Sequence, residues 1–416
     1  MRIVVFCINY DPEIISTGLY ATGMAEYFSE KGHDTHVITA LPYYPAWRTF
    51  DGWRRPFWKA RTSADGARIV HCPIYVPRVP TGARRILHYI SYALSALPVA
   101  LWKALRVRPD VVMLIAPSLI TAPVALATAR LGGAVSWLHI QDFEVEAAFA
   151  TGLLKGTGRA ARMARGYERA MLSRFDRVST ISAPMIARLA EKGVAPDAQV
   201  EFRNWADLAR VTPLTAPPAL KSELGITTRH VALYSGNLAN KQGLEIIPAM
   251  ARLLQHRDDL TIAICGDGPM RETLVSAAAD LPMVRFFPLQ PVDRLGELVG
   301  MADIHLLPQI AGAADLVLPS KLTNMLASGR PVVATTRADT ALGAEIGDAG
   351  VLVPPGDPKA LADAVAALLD DPERRARMGA VARAQALARW DKTAILDRLI
   401  ATFEETVAGK ATGRPR

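Results

Sequence analysis

The chain has 416 residues, half of them apolar and 21% charged, with 48 Lys and Arg against 40 Asp and Glu. This composition excludes a disordered, collagen-like or disulfide-framework chain, and single cores stop growing at roughly 250–300 residues, so two domains of about 200 residues each are expected. The net charge of +8 sits in the first half, where 25 Lys and Arg against 16 acids over residues 1–205 make +9; the remaining 23 against 24 make −1. No zinc-ligand spacing, RNP-like aromatic strand or basic-region helix accompanies the excess, which speaks against nucleic acid and for a membrane surface or an anionic acceptor. Cys7, Cys72 and Cys265 are odd in number, far apart and each in an apolar run, the pattern of a reduced compartment.

The opening MRIVVFCINYDPE has an apolar run of six residues followed by two acids, which predicts a first buried strand and no secretion signal. A helix is predicted over 18–31, ended by Gly32, and Gly18 at its start suits either a tight turn or a close approach to phosphate. THVITA is the next strand, and ALPYYPAW (40–47) offers Tyr43 and Tyr44 either to line an acceptor's approach or to pack their own loop. Between Arg85 and Lys103 lie 17 residues without Lys, Arg, Asp or Glu, interrupted by Pro98. That run is barely long enough to span a bilayer; it reads either as a buried helix or as a face lying in a membrane interface.

DVVMLIA, AVSWLHI and RVSTIS follow, continuous Val/Ile-rich runs between helices that predict a parallel sheet covered on both faces. WLHIQDFEVE sets His139, Gln141, Asp142, Glu144 and Glu146 at or just past a strand end. Residues 206–228, with Pro213, Pro217 and Pro218, read as a linker. The alternation then restarts with HVALYSG, LTIAICG, VRFFP, DIHLLP and PVVATT. The domains expected are therefore 1–205, the linker 206–228, and 229–390, followed by a last helix over 391–408 that packs back on the first domain and a tail at 409–416.

In open α/β sheets ligands bind outside the carboxyl ends of the strands, and three strand-to-helix joints of the second half carry suitable residues there. YSGNLANKQGLE holds Gly236, Asn237, Lys241 and Gly243; glycines let backbone N–H groups approach an anion and Lys241 adds charge. ICGDGPMRE supplies Gly266 and Gly268 without the third glycine of a dinucleotide fingerprint. PSKLTNMLASG predicts a short helix opened by Pro319 and Ser320 and stopped by Gly329, with Lys321 in its first turn, an arrangement suited to an anion.

Taken in this order, with the apolar FFPLQP between the last two, the joints resemble the carboxyl domain of the family-four retaining glycosyltransferases of GT-B fold, nearest the bacterial exopolysaccharide and colanic-acid type; the likeness runs from NYDPE to Trp390. The resemblance implies an α/β protein of two Rossmann-like doubly wound domains facing a central cleft. It implies that Lys241 holds the donor diphosphate with Gly236 and Asn237 beside it, that Gly18, Gly266 and Gly268 approach the donor, and that the backbone from Phe287 to Leu289 reads the base. Ser320, Lys321 and Leu322 would lie at the phosphates, while His139 would meet the donor sugar, and Asp142 and Glu144 the acceptor. Relatives commonly carry Arg where this chain has Asn237, and the family's two glutamates fall at Leu316 and Asn324; Asn324 can still bond ribose, and Asp315 can substitute for the first.

No two Asp residues stand two apart, so the metal-binding Asp-x-Asp of the other large glycosyltransferase fold is missing; neither metal nor cofactor is expected. The function expected is transfer of a sugar, with retention, from a UDP- or GDP-linked donor to a lipid-linked or growing saccharide in envelope polysaccharide synthesis, by a cytoplasmic protein peripheral at the inner face of the plasma membrane. A sugar-nucleotide epimerase of the same fold and a degenerate sugar-nucleotide-binding protein are the competing readings.

Overall fold

The computed structural model describes residues 1–13, 17–53, 57–150, 158–206, 208–239, 242–310, 319 and 321–412. The chain forms two compact units, Met1–Arg203 with Leu396–Arg416, and Asn204–Ile395.

The first unit is built on β1 (Arg2–Cys7), β2 (Asp34–Ala40), β3 (Lys59–Thr62), β4 (Arg68–Cys72), β5 (Val111–Ala116), β6 (Val135–Ile140), β7 (Arg177–Thr180) and β8 (Gln199–Glu201). They lie in the order β3-β4-β2-β1-β5-β6-β7-β8. All pairs are parallel except β3 on β4. Every residue of β5 and β6 is buried, as their unbroken apolar sequences require of strands covered on both faces. The first helix spans Thr17–Glu30, and Gly32 takes φ +82°, where a residue with a Cβ would be strained. The Gly82–Arg106 helix packs on the Ala122–Gly132 helix and places Tyr92, Ala96 and Ala100 in the core, where the Tyr92 hydroxyl donates to the Ile38 carbonyl at 2.7 Å. The last helix, Lys392–Ala411, covers the opposite part of this unit: Phe403 meets Phe28 and Trp137 edge-on, with ring centroids 5.8 and 4.8 Å apart.

The second unit holds β9 (His230–Ser235), β10 (Leu260–Cys265), β11 (Val284–Phe287), β12 (Ile304–Leu307), β13 (Val332–Thr335) and β14 (Gly350–Val353). All are parallel, in the order β11-β10-β9-β12-β13-β14. The proline-rich stretch after residue 206 is built into this unit, with Leu208, Val211, Leu220 and Ile226 in its core. The Arg383 guanidinium donates to the carbonyls of Val211 at 2.8 Å and Ala327 at 2.9 Å, which ties that stretch to the end of the Lys321–Ala327 helix.

Candidate active site

Sheet order locates the site of the second unit. Strand order switches from one side of β9 to the other at the β9–β12 pair, and the crevice at the carboxyl ends of the strands there is where open α/β sheets hold ligands. Register aligns Ser235, Cys265 and Phe287 across β9, β10 and β11, so Gly236, Gly266 and Pro288 emerge side by side at the carboxyl edge. A Cβ on Gly266 would stand 2.0 Å from the Gly236 carbonyl oxygen, so only glycine fits.

Lys321 joins them from the far side of the sheet sequence. Its ammonium lies 3.3 Å from where a Gly236 Cβ would be, donates to the Tyr234 hydroxyl at 2.7 Å and to Gln242 Oε1 at 3.2 Å, and sits 4.2 Å from the centre of the Tyr234 ring. The Tyr234 hydroxyl in turn donates to the Asn237 carbonyl at 2.7 Å. One buried aromatic side chain therefore orients both the cation and the glycine loop, and burial raises its phenol pKa, keeping it a neutral donor.

Arg271, first residue of the helix Arg271–Ala277, donates to the Gly266 carbonyl at 2.9 Å, and the Cys265 thiol at the end of β10 donates to the Pro288 carbonyl at 3.0 Å. These two side chains brace the 266–268 loop and the 287–289 segment. Leu289 is 64% exposed beside the buried Phe287. Leu322 turns its side chain into the core at 1% exposure, so only its backbone faces the site, whereas Asn324 is half-buried. Lys241, Asp315 and Ser320 lie outside the described residues. A cavity of about 420 Å³ lies nearby, lined by Gly243, Ile246, Gln309, Thr335 and Gly356.

In the first unit, the loops after β1 and β2 are joined by Glu13, which belongs to none of the candidate motifs. Glu13 is 3% exposed, and its carboxylate accepts from the backbone N–H of Tyr43 at 2.6 Å, that of Tyr44 at 2.7 Å and Asn9 Nδ2 at 2.7 Å. Its signal in the sequence was an acid in the loop after an apolar strand. A Cβ on Gly18 would approach the Glu13 carbonyl to 2.8 Å, so that glycine answers to its own turn. Tyr43 packs its loop against Trp47 and His88, with centroids at 5.5 and 4.5 Å; Tyr44 is half-buried.

His139 sits inside the sheet at 1% exposure. Its Nδ1 pairs with Ser179 Oγ and its Nε2 with Gln141 Nε2, both at 2.9 Å, and burial lowers its pKa to about 3, so the ring is neutral. Asp142 is exposed at the strand end. Glu144 Oε1 accepts from the backbone N–H groups of Ser118 and Leu119, both at 2.6 Å, which fixes the loop after β5. Burial, with the charges of Glu168 and Asp142, pushes its carboxyl up to about 7 against those two hydrogen bonds.

Known proteins share this layout. The family model for glycosyl transferases group 1 matches residues 218–385, and that for the glycosyl transferase 4-like domain matches residues 17–205. The putative colanic acid biosynthesis glycosyl transferase WcaI of Escherichia coli K12 is 41% identical over 352 residues, 82% of this chain and 85% of that protein. The alpha-D-kanosaminyltransferase of Streptomyces kanamyceticus is 30% identical over 45% of this chain and 48% of its own. Among solved structures, sucrose-phosphate synthase of Thermosynechococcus elongatus superposes with TM-score 0.74 at 16% identity, covering 98% of this chain and all of that one. HepE of Anabaena, solved with UDP-glucose, gives 0.68 at 15% identity over 97% of this chain and all of its own.

Proposed function

Since the chain belongs to the GT-B glycosyltransferase family and is similar to a colanic-acid biosynthesis transferase along most of its length, we propose that it moves a hexose-type sugar, with retention, from a nucleoside-diphosphate donor to a lipid-linked or growing saccharide. The observation that carries this reading is the Lys321 ammonium held over Gly236 at the carboxyl edge of β9. A fixed cation beside closely packed glycines is suited to a diphosphate, and charge stabilisation of that leaving group lowers the barrier to its departure.

Lys321 and Lys241 neutralise the two phosphates without a metal ion, and the departing diphosphate accepts the acceptor's hydroxyl proton on the same face of the sugar. The 287–289 backbone reads the base, and Asn324 bonds ribose. UDP-glucose in HepE and the name of the WcaI relative support a nucleotide sugar and an envelope saccharide; the donor base is open between UDP and GDP. A lipid-linked acceptor places the protein at the inner face of the plasma membrane. Replacement of both family glutamates, by Leu316 and Asn324, favours a second reading, a sugar-nucleotide-binding protein without turnover.

A panel of UDP- and GDP-sugars tested for thermal stabilisation separates the cases, since ligand at a hundred times Kd adds about 2.7 kcal/mol to stability. The transferase reading expects one base series to raise Tm, and nucleoside diphosphate to be released only when a saccharide acceptor is added. Lys321→Ala should abolish the Tm shift while the melting profile without ligand stays cooperative. Binding with no release across donors and acceptors establishes the second reading, and no shift with any nucleotide sugar refutes both.

A further inference from the structure

The Gly82–Arg106 helix has two apolar faces, and the fold uses only one. Tyr92, Ala93, Ala96, Ala100 and Ala104 are buried against the first unit. On the other side Ile86, Ile90, Leu94, Leu101, Trp102 and Leu105 stand exposed, from 37% at Leu101 to 65% at Leu94. Their spacing of three to four residues, with the exposed Pro98 in the gap, makes one continuous stripe along a helix about 37 Å long. Phe57 and Trp58 widen it from the side: both are exposed, and Trp58 Nε1 donates to the Ser95 carbonyl at mid-helix, at 2.9 Å. An apolar surface of this extent on a folded chain marks a place where something binds.

Charge identifies the occupant. From Gly66 to Pro109 there is no Asp or Glu, whereas the same stretch carries seven Lys and Arg. Arg78 and Arg84 are exposed at the amino end of the stripe, and Arg106 and Arg108 at its carboxyl end. An apolar stripe with indole rings and cationic ends lacking any acid is complementary to an anionic lipid leaflet: the rings favour the headgroup boundary, and each cation near such a surface contributes about 1 kcal/mol. Among the described residues no helix is long and apolar enough to cross a membrane, so the contact lies in the interface plane.

We propose that this stripe, with Phe57 and Trp58, is the surface by which the protein docks on anionic phospholipid, lying flat with its basic ends at the phosphates. The proposal deepens the lipid-linked acceptor reading and rests on it for its purpose.

Flotation of the full chain with vesicles of phosphatidylcholine alone, and of equal parts phosphatidylcholine and phosphatidylglycerol, tests it. The wild type should float with the mixed vesicles, less with the neutral ones, and less as salt rises. The double variant Leu94→Glu, Leu105→Glu should lose at least about tenfold in bound fraction, with Tm and nucleotide-sugar stabilisation unchanged. Should that variant fold poorly, Trp102→Phe gives a second measurement, since lipids brominated on their acyl chains should quench wild-type fluorescence more than the variant's. Undiminished flotation of the double variant, or equal quenching, overturns the proposal. So does a wild type that ignores vesicles but forms a dimer which the double variant breaks, making the stripe a self-association face. Nucleotide-sugar stabilisation is read without vesicles, so its failure refutes the transferase reading and leaves the docking surface standing.

Discussion

Tyr234 is a residue whose removal should be felt at a distance from its own position. Its hydroxyl receives the Lys321 ammonium and holds the Asn237 carbonyl, so Tyr234→Phe keeps the ring in the core and removes one hydrogen bond from each. Hydrogen bonds to charged groups contribute about 1.5–3 kcal/mol, and steady-state kinetics should show a KM for donor raised about tenfold or more, with kcat changing less; an unchanged KM would remove Tyr234 from the site. Glu144 offers a second residue-scale test. Its carboxyl titrates near 7 in the folded chain against an ordinary 4.5, so between those values the folded state keeps a proton that the unfolded state has released. This group's stabilising contribution is therefore complete below about pH 4.5 and is lost as pH rises through about 7. Glu144→Gln, neutral throughout, should match the wild-type Tm near about pH 5 and exceed it near about pH 8; a gap independent of pH refutes the assignment. Neither Tyr234 nor Glu144 is marked as a positioning residue by its local sequence, because Tyr234 receives a lysine 87 positions away and Glu144 fixes the loop after another strand.

At the scale of elements, the seating of the Lys321–Ala327 helix depends on two glycines. Gly329 takes φ +67° to end the turn, and a Cβ on Gly379 of the Pro372–Trp390 helix would stand 2.2 Å from the Gly329 carbonyl oxygen. That oxygen is backbone and has little room to yield. Gly379→Ala should thus push the two helices apart, destabilising the unit by about 1–3 kcal/mol and weakening the nucleotide-sugar Tm shift through Lys321. A melt identical to wild type, with donor stabilisation retained, would show that the crossing is looser than described. Gly329 was readable in the sequence as a helix stop, since apolar spacing and a following strand surround it; Gly379 was not, because its reason is a neighbour 50 positions earlier.

At the scale of the whole molecule, the chain closes on its own beginning. The final helix returns Phe403 to Phe28 and Trp137, and Asp397 accepts from the Tyr27 hydroxyl at 2.7 Å. Buried Phe→Ala changes cost about 3–5 kcal/mol, so Phe403→Ala should lower the melting temperature of the first unit while nucleotide-sugar binding, read as stabilisation of the second, persists. Equal loss in both would mean that the units melt as one. Local order carried the alternation of buried strands and helices, the glycine joints and the two-sheet plan, because strand and helix periods are properties of neighbouring residues and chain length limits the size of one core. The tertiary structure alone decided that His139 faces inward, that Lys321 finds Tyr234 across 87 positions, and that one helix is both core and exposed apolar stripe. A strand buried on both sides has no polar face to reveal which way a side chain points, and partners brought together by strand order leave no trace in local spacing.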